Sequence, residues 1–345
     1  MSDQTARGAL RPGWSAIVDD YAIAGDWALN GALLVVGDAA GSVFGFEGTS
    51  GTIRWQKRAL HSSGLLAMAM HPDGDRFATA GQDGQVHICG ADDGAVRHTI
   101  DLGRGWVEHL AWSSDGNQLA AAMSRRVYVS DASGTLLWQS DDHPSTVSAL
   151  AWSGAEQLAT ACYGRVSFFE ATSGELAQKL EWKGSLVSLI LSPDGDIVAC
   201  GSQDNSVHFW RRSTGEDSMM HGYPGKPSNL SFDQSGSLLA TGGGKTVTVW
   251  NFAGSGPEGT RPGELEMHVQ PITALSFAHQ GRRIASGGRD GGVVAWSLQS
   301  GGNGVAIGAA FVGELIGGLA WRPDDRCLAA FDASGGVTVW RIHRQ

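Results

Sequence analysis

Short stretches in which apolar and polar residues alternate run along most of the chain, and this period of two is typical of β-strands with one buried face. The clearest example is the stretch from His268 to Trp296, HVQPITALSFAHQGRRIASGGRDGGVVAW. It predicts strands at 272–277, 283–287 and 293–296. The Asp-Gly pair before the third strand favours a hairpin turn, because both central residues of a type I′ turn need a positive φ. The stretch therefore predicts a three-stranded antiparallel meander.

This unit occurs eight times along the chain. The third strands end at Phe46, Cys89, Ser130, Phe169, Trp210, Trp250, Trp296 and Trp340. The intervals between these positions are 43, 41, 39, 41, 40, 46 and 44 residues. The first strands end at Trp27, Met70, Trp112, Trp152, Leu191, Phe232, Phe277 and Trp321. In six units a glycine follows four residues later, while Glu156 and Asp325 take that place in the other two. One meander cannot bury both of its faces, so the copies are expected to stack on one another.

A fourth, outer strand is predicted in several units. The segments with this pattern are residues 52–55, 96–100, 135–138, 176–180 and 305–307. Only five residues follow Trp340, so we expect the segment around Trp14 to supply the outer strand of the last unit and to join the two ends of the chain. Residues 1–12 are expected to form a flexible tail, and residues 13–345 a single domain of eight repeats.

The segments LSPDGDIVACGSQDNSVHFW (191–210) and IASGGRDGGVVAW (284–296) resemble WD40 repeats, and the resemblance covers nearly the whole chain. A period of roughly 40–45 residues is typical of WD40 blades. The resemblance implies an all-β fold, an eight-bladed WD40-like β-propeller whose N-terminal strand closes the last blade. Seven blades plus a degenerate unit is the alternative. The glycine-rich, stand-alone form resembles bacterial WD40 proteins, some of which are linked to CobW-type metallochaperone GTPases.

The resemblance also implies a structural hydrogen-bonded tetrad of His, Ser or Thr, Asp and Trp in each blade. Unit seven holds the full set, His268, Ser286, Asp290 and Trp296. Other units hold part of it: His61, Thr79 and Asp83 with Cys89 in place of Trp; Asp204 and Trp210; and Thr241 and Trp250 with Gly244 in place of Asp. We therefore expect the local rigidity of units one, three and four to be lower.

Composition narrows the classes of partner. The formal net charge is −10 and the pI is about 5.5, whereas a nucleic-acid or anionic-membrane surface would be basic. The four cysteines, at 89, 162, 200 and 327, lie on separate units without a CxxC motif, which favours buried thiols in a reducing compartment. The first fourteen residues contain no apolar signal segment, so we expect a cytoplasmic protein.

Several chemical alternatives follow from short motifs. His268, Ser286 and Asp290 have the residue types of a hydrolase triad, but no G-x-S-x-G accompanies them. Residues 242–246, GGGKT, resemble the end of a phosphate loop without its first glycine or its helix. The segments TSGTIRW (49–55) and ASGTLLW (132–138) are similar to the docking pattern of quinoproteins. A quinoprotein-like cofactor-binding enzyme and a metal-homeostasis protein with a metal on the propeller axis therefore stay open as alternatives.

A partner-binding surface is predicted at the mouth of the central channel, which the residues before each first strand surround in this fold. The candidates are Trp106, Glu108, His109, Trp182, Tyr223 and Lys226, since aromatic and cationic side chains anchor protein interfaces. The alternative is that Trp106 and Trp182 cap the blade packing. The insertion 253–267, AGSGPEGTRPGELEM, is a second candidate. We therefore expect a non-enzymatic scaffold without a cofactor or catalytic residues, which binds a protein or peptide; a CobW-type GTPase is one candidate partner.

Overall fold

The structure is a computed structural model that describes residues 7–343. It contains eight antiparallel sheets, and the innermost strand of each sheet contacts the innermost strands of two neighbouring sheets. The last sheet contacts the first in the same way. The contacts therefore close into a ring, which confirms the predicted all-β propeller with eight blades.

Each blade is a meander of up to four strands, numbered from the channel outwards. The N-terminal strands are β1 (Arg7–Gly8) and β2 (Leu10–Ile17). Blade one contains β3 (Ala22–Ala28), β4 (Leu33–Asp38), β5 (Val43–Glu47) and β6 (Ile53–Lys57), with a 3-10 turn at Leu29–Gly31. Blade two contains β7 (Leu65–Met70), β8 (Arg76–Gly81), β9 (Gln85–Gly90) and β10 (Val96–Asp101). Blade three contains β11 (Val107–Trp112), β12 (Gln118–Met123), β13 (Arg126–Asp131) and β14 (Leu136–Gln139).

Blade four consists of β15 (Ala149–Ser153), the long β16 (Gln157–Glu170), which bends at Gly164, and β17 (Leu176–Ser185). Blade five contains β18 (Ile190–Leu191), β19 (Ile197–Gly201), β20 (Val207–Arg211) and β21 (Glu216–Met220). Blade six contains β22 (Leu230–Phe232), β23 (Leu238–Thr241), β24 (Thr246–Asn251) and β25 (Gly263–Glu266). Blade seven contains β26 (Ile272–Phe277), β27 (Arg283–Gly288), β28 (Gly292–Leu298) and β29 (Gly304–Phe311). Blade eight contains β30 (Ile316–Trp321), β31 (Cys327–Asp332) and β32 (Gly336–Ile342).

The N-terminal segment completes blade eight. Strand β2 pairs antiparallel with β32, which confirms the predicted closure. Strand β1 pairs with β29 and adds a fifth strand to blade seven. The prediction of a flexible tail over residues 1–12 is therefore wrong for residues 7–12, and residues 1–6 lie outside the described part of the chain. Pro12 and Gly13 fall at a bulge of an outer strand, where proline is tolerated.

The apolar core is divided among the interfaces between neighbouring blades. Eight clusters of buried residues form, one at each interface. Leu10, which has no exposed surface, lies between blades seven and eight with Trp340 and Ile342. Each blade thus buries its faces against two neighbours.

Tryptophans at the ends of the first strands link the blades on the channel side. In four blades the indole N–H donates to a main-chain carbonyl on the first strand of the preceding blade. These hydrogen bonds are Trp27 to Ala320 (3.1 Å), Trp112 to Ala69 (3.2 Å), Trp152 to Ala111 (2.9 Å) and Trp321 to Ser276 (2.9 Å). The bond from Trp27 connects blade one to blade eight and so closes the ring.

A second set of tryptophans links the blades at their outer strands. Their indole N–H groups donate to carbonyls in the next blade: Trp14 to Gly48 (3.0 Å), Trp55 to Ala91 (2.9 Å) and Trp138 to Ala171 (2.7 Å). Each ring lies on a turn glycine with positive φ (Gly51, Gly94, Gly174), where a Cβ atom would overlap the indole. Gly51, Trp55 and Trp138 of the quinoprotein-like segments therefore serve the contacts between blades.

The turn after the first strand needs a residue with positive φ. The six predicted glycines have φ between +68° and +83°. In blade eight Asp325 adopts φ 55°, and in blade four Gly154 adopts φ 61° two residues before the expected position. Both exceptions in the glycine pattern therefore keep the same left-handed turn, since aspartate tolerates this conformation better than most residues.

The insertion at 253–267 contains more regular structure than the sequence suggested. Residues 263–266 form β25, the outer strand of blade six, and Leu265 is fully buried against blade seven. Only residues 253–262 form a loop, so the predicted 253–267 loop is shorter. Among residues 7–343, no helix has the length and apolar character that crossing a membrane would require.

We predict that Leu10→Ala lowers the free energy of unfolding by about 2–5 kcal/mol, because it leaves a cavity between blades seven and eight. Ile17→Ala on the same strand, where the side chain is 74% exposed, is the matched control and is expected to change stability by less than about 0.5 kcal/mol. Removing residues 1–18 should lower the melting temperature by many degrees. Urea unfolding and thermal melting measure these effects, and equal losses for Leu10→Ala and Ile17→Ala would contradict the proposed packing.

Candidate functional site

The antiparallel meander gives the propeller two distinct ends. The start of each first strand and the turn between the second and third strands lie at one end, which we call the upper face; in blade six these are residues 221–229 and 242–245. The other two turns lie at the opposite end, the lower face; in blade six these are residues 233–237 and 253–262. The channel-mouth residues and the 253–262 loop therefore belong to two separate surfaces.

The tetrad of blade seven is connected by hydrogen bonds. His268 Nε2 lies 2.8 Å from Ser286 Oγ, and Nδ1 lies 3.1 Å from Asp290 Oδ1. Trp296 Nε1 donates to the same serine oxygen at 2.8 Å. Burial raises the pKa of Asp290, but hydrogen bonds from two backbone N–H groups and His268 outweigh it and hold the pKa below its ordinary value. Ser286 has no exposed surface, so the arrangement fits a structural tetrad better than a hydrolytic triad, which needs an accessible nucleophile.

Blades two and four carry partial tetrads. In blade two, His61 lies 3.0 Å from Thr79 Oγ1 and 3.0 Å from Asp83 Oδ1. Burial lowers the pKa of His61, against the opposing effect of Asp83. In blade four, His143 Nε2 lies 2.9 Å from Thr160 Oγ1. In blade two, Cys89 stands in place of the tetrad tryptophan, and burial raises the pKa of its thiol to about 12. This thiol is therefore a poor nucleophile.

Tyr223 occupies the position of the tetrad histidine in blade six, nine residues before the end of the first strand, as His268 does in blade seven. Its hydroxyl lies 2.8 Å from Thr241 Oγ1 and accepts a hydrogen bond from Trp250 Nε1 at 2.8 Å. Burial raises the pKa of Tyr223 to about 12. This residue, predicted to bind a partner, therefore makes internal contacts that hold blade six together.

Trp182 occupies the same position in blade five. Its ring stacks on His208 with 3.8 Å between ring centroids, and Trp210 makes an edge-to-face contact with that histidine at 4.2 Å. Asp217 lies 3.1 Å from His208 Nε2, but the two groups are not aligned for a hydrogen bond. Burial lowers the pKa of His208 to about 4 despite this carboxylate. The contacts of Trp182 with His208 agree with the interpretation that it caps the blade packing.

The other four predicted partner-binding residues lie on two parts of the upper face. Trp106 and Glu108 are exposed on blade three, and the Trp106 side chain is 57% exposed. His109 follows them and is half-buried, and burial lowers its pKa although Glu108 opposes this effect. Lys226 is exposed on blade six. The structure therefore does not bring the six residues into one constellation.

The sequence reasoning missed a groove between blades six and seven on the upper face. Its volume is about 720 Å³, and Lys226, Lys245, Val269, Pro271 and Arg289 are among its lining residues. Three segments of the sequence, PGKP, GGGK and GGRD, could have indicated this groove, because the topology places them at the same end of neighbouring blades. The GGGKT segment is the turn into β24, so no helix follows it to form a phosphate site.

The described residues contain no group of three or more His, Cys, Asp or Glu side chains placed to hold a metal ion. All four cysteines are buried and unpaired.

The fold and the tetrads define a β-propeller built from eight repeats. A family model described as outer membrane protein assembly factor BamB matches residues 11–219, and a model of the WD domain, G-beta repeat, matches residues 218–251 and 259–297. The first match covers more than half of the chain, so the chain belongs to the family described as outer membrane protein assembly factor BamB. The second match lies in blades six and seven and identifies WD40 repeats there. The chain is thus a WD40-repeat β-propeller. The first model includes both quinoprotein-like segments.

Individual relatives share the repeats at low identity. Telomerase protein component 1 from Mus musculus is 24% identical over 81% of this chain and 11% of its own length. Cell division cycle 20.1, cofactor of APC complex, from Arabidopsis thaliana is 25% identical over 56% of this chain and 44% of its own length. The chain thus spans less than half the length of these relatives.

Solved structures show the same fold. The computationally designed Ika8 protein has a TM-score of 0.82 at 21% identity, covering 96% of this chain and all of that one. A chain of the mitotic checkpoint complex has a TM-score of 0.68 at 20% identity, covering 98% of this chain and 94% of that one. At these identities the similarity concerns the fold alone.

We predict that Tyr223→Phe lowers the free energy of unfolding by about 1–3 kcal/mol, because it leaves Thr241 and Trp250 without their shared partner in a buried site. Tyr163→Phe is the matched control, since that side chain is 59% exposed. Urea unfolding of both variants measures the effect. A loss for Tyr223→Phe no larger than for the control would contradict the assignment of Tyr223 to the tetrad position.

Acid should destabilise the protein through His208. In the unfolded chain histidine takes up a proton near pH 6.5, whereas burial holds the pKa of folded His208 at about 4. The unfolded state binds more protons between these values, so the free energy of unfolding decreases as the pH falls from about 6.5 to about 4, by at most about 3 kcal/mol. His208→Phe should reduce this slope in urea unfolding at several pH values, whereas replacing the exposed His98 should not. Identical slopes for wild type and His208→Phe would overturn the prediction.

Proposed function

We propose that this chain is a non-enzymatic scaffold that binds a protein or peptide segment on its upper face. The observation that supports this most directly is that the reactive polar groups of the tetrads are buried, whereas an aromatic side chain and cations are exposed on the upper face. The histidines and hydroxyls of the tetrads and the four thiols are buried in contacts between strands and blades, while Trp106, Lys226 and Arg289 are exposed on the upper face. Exposed aromatic and cationic side chains on a rigid framework favour protein recognition.

The relatives support the same class of function. Two of the matched proteins are named for assemblies, a cofactor of the APC complex and the mitotic checkpoint complex. We infer that this chain, too, uses its propeller to bind protein partners. The particular partner is not implied by these names, and the named curated relatives are eukaryotic proteins, which gives no support to the bacterial origin that the resemblance implied.

The upper and lower faces are alternative binding surfaces within this proposal. Trp106 gives the upper face a large exposed aromatic side chain beside Glu108. The loop 253–262 gives the lower face two exposed charged residues, Glu258 and Arg261. We favour the upper face because it combines exposed apolar, aromatic and charged side chains, which protein interfaces use together.

A quinoprotein-like cofactor-binding enzyme is the second candidate. The match of the BamB-described model to residues 11–219 favours it, as do the Gly–Trp contacts of the quinoprotein-like segments. These contacts have a structural role of their own, however, so they do not require a cofactor. An absorption spectrum of the purified protein tests this candidate, and a redox-cofactor band that copurifies in stoichiometric amount would favour the enzyme over the scaffold.

Cellular location and partner identity are further parts of the proposal. Four buried, unpaired thiols agree with a cytoplasmic protein, although the family description names an outer-membrane assembly factor. A CobW-type GTPase remains a candidate partner on the basis of the sequence resemblance.

A metal-homeostasis role predicts a bound metal in protein purified without chelator, which elemental analysis measures.

We predict that Trp106→Ala combined with Glu108→Lys reduces the recovery of partner proteins in affinity capture from native lysate, because it removes the exposed aromatic anchor. Val305→Ala is the control, since this 65% exposed side chain lies on the outer strand of blade seven. A Glu258→Arg, Arg261→Glu variant tests the lower face. Equal recovery by all forms would discard both surfaces, and loss with the lower-face variant alone would contradict the choice of the upper face.

A further inference from the structure

We propose that the groove between blades six and seven binds an extended acidic peptide segment that carries one large apolar side chain. This inference rests on the proposed scaffold function and specifies the chemistry of a partner. The groove lies on the upper face, and its volume of about 720 Å³ falls in the range of about 300–1,000 Å³ typical of ligand clefts.

Three cationic side chains line this groove from three different segments. Lys226 lies before the first strand of blade six, Lys245 lies in the turn that leads into β24, and Arg289 lies in the corresponding turn of blade seven. All three are exposed. Within residues 7–343, no ion pair or side-chain hydrogen bond engages any of them, whereas many other arginines of the chain pair with aspartates.

The nearest acidic group in sequence makes its ion pair with His268 and not with these cations. Asp290 follows Arg289 directly, but its carboxylate accepts hydrogen bonds from His268 and from the backbone N–H groups of Val269 and Gly292. Glu264 and Glu266 line a neighbouring cavity on the outer side of blade six, which shares Lys245 with the groove. The described residues that line the groove include three cations and no carboxylate, and this positive charge on a chain of net charge −10 favours an acidic partner and orients it toward the groove.

Apolar surface accompanies the charges. Val269 is 78% exposed, the largest exposed fraction among the large hydrophobic side chains of the described residues. The exposed Pro224 and Pro271 line the same groove. An apolar side chain of the partner would cover Val269, which removes nonpolar surface from water. Cations around an apolar patch therefore select a peptide with both kinds of side chain.

The floor of the groove is held in place by hydrogen bonds to the main chain between the two blades. The Ile272 N–H donates to the Gly244 carbonyl at 2.9 Å, and Asn229 Nδ2 donates to the Ile272 carbonyl at 3.4 Å. The three cations are thus carried by turns that are fixed relative to each other. The binding of a segment therefore costs little conformational entropy in the protein. A nucleic-acid strand fits less well, because the exposed residues of the groove include no aromatic side chain for base stacking.

Fluorescence anisotropy of labelled peptides with the full-length protein tests the proposal. The probes are GEELEEG, its basic counterpart GKKLKKG and the leucine-free GEEGEEG. We expect binding of GEELEEG, weaker binding of GEEGEEG and none of GKKLKKG, with a marked loss of affinity between about 50 and about 300 mM salt because screening weakens exposed charge pairs. The double variant Lys226→Glu, Arg289→Glu should lower the affinity for GEELEEG at least about tenfold.

Matched variants separate the groove from the general charge of the upper face. Arg104→Glu with Lys183→Glu makes the same charge change at exposed residues of that face outside the groove and should leave binding within about twofold of wild type. Val269→Ser should abolish the preference for the leucine-containing probe. Melting temperatures confirm that all variants are folded, because the exchanged side chains are exposed.

Three results would overturn the proposal: no binding of GEELEEG to wild type, equal losses with the two charge-reversed pairs, or stronger binding of a single-stranded oligothymidine than of GEELEEG. If one of them occurs while the Trp106 variant still loses its partners, the groove proposal fails and the scaffold function stands. If the peptide binds as expected but capture is unaffected by every upper-face variant, including Lys226→Glu with Arg289→Glu, and by the lower-face variant, the scaffold function fails and the groove remains a peptide-binding site.

Discussion

The structure depends on the closure of the ring, and the hydrogen bonds from tryptophan N–H groups to the main chain of a neighbouring blade show how closure is specified. A blade on its own leaves both faces of its sheet exposed, so its stability comes from two neighbours. The bond from Trp27 to blade eight on the channel side and that from Trp14 to blade one at the outer strands connect the ends of the series. Some of the remaining blades make one or both of these hydrogen bonds. Where the equivalent position has no indole, an apolar side chain such as Phe277 occupies it.

Most of the architecture could be predicted from the sequence, because the period of the repeats, the turn glycines and the Asp-Gly hairpins each carry a local physical signal. The features that were missed are non-local. Leu10 follows no strong periodic run, and its burial results from pairing with a strand more than three hundred residues away. The outer strand at 263–266 is short and follows a loop with two prolines, so its alternation was read as part of that loop.

The candidate site was less predictable, since equivalent positions in different blades carry different chemistry. His268, Tyr223 and Trp182 occupy one repeat position, and the structure shows that each contacts its own blade or the next. Counting back from the end of the first strand would have identified Tyr223 and Trp182 as tetrad substitutes. The groove of Lys226, Lys245 and Arg289 needs in addition the lateral alignment of two blades, which the sequence of a single repeat does not contain.

The pairing of β2 with β32 also affects the order in which the protein can assemble. Ribosomes deliver β2 before any complete blade and β32 after the other seven blades, so blade eight cannot form before β32 has been synthesised. Until then, Leu10 and the apolar side of blade seven that it covers lack their partners. Ring closure therefore waits for the synthesis of β32, and until then the growing polypeptide exposes an unpaired strand edge and an apolar surface that chaperones or a neighbouring nascent chain could occupy first.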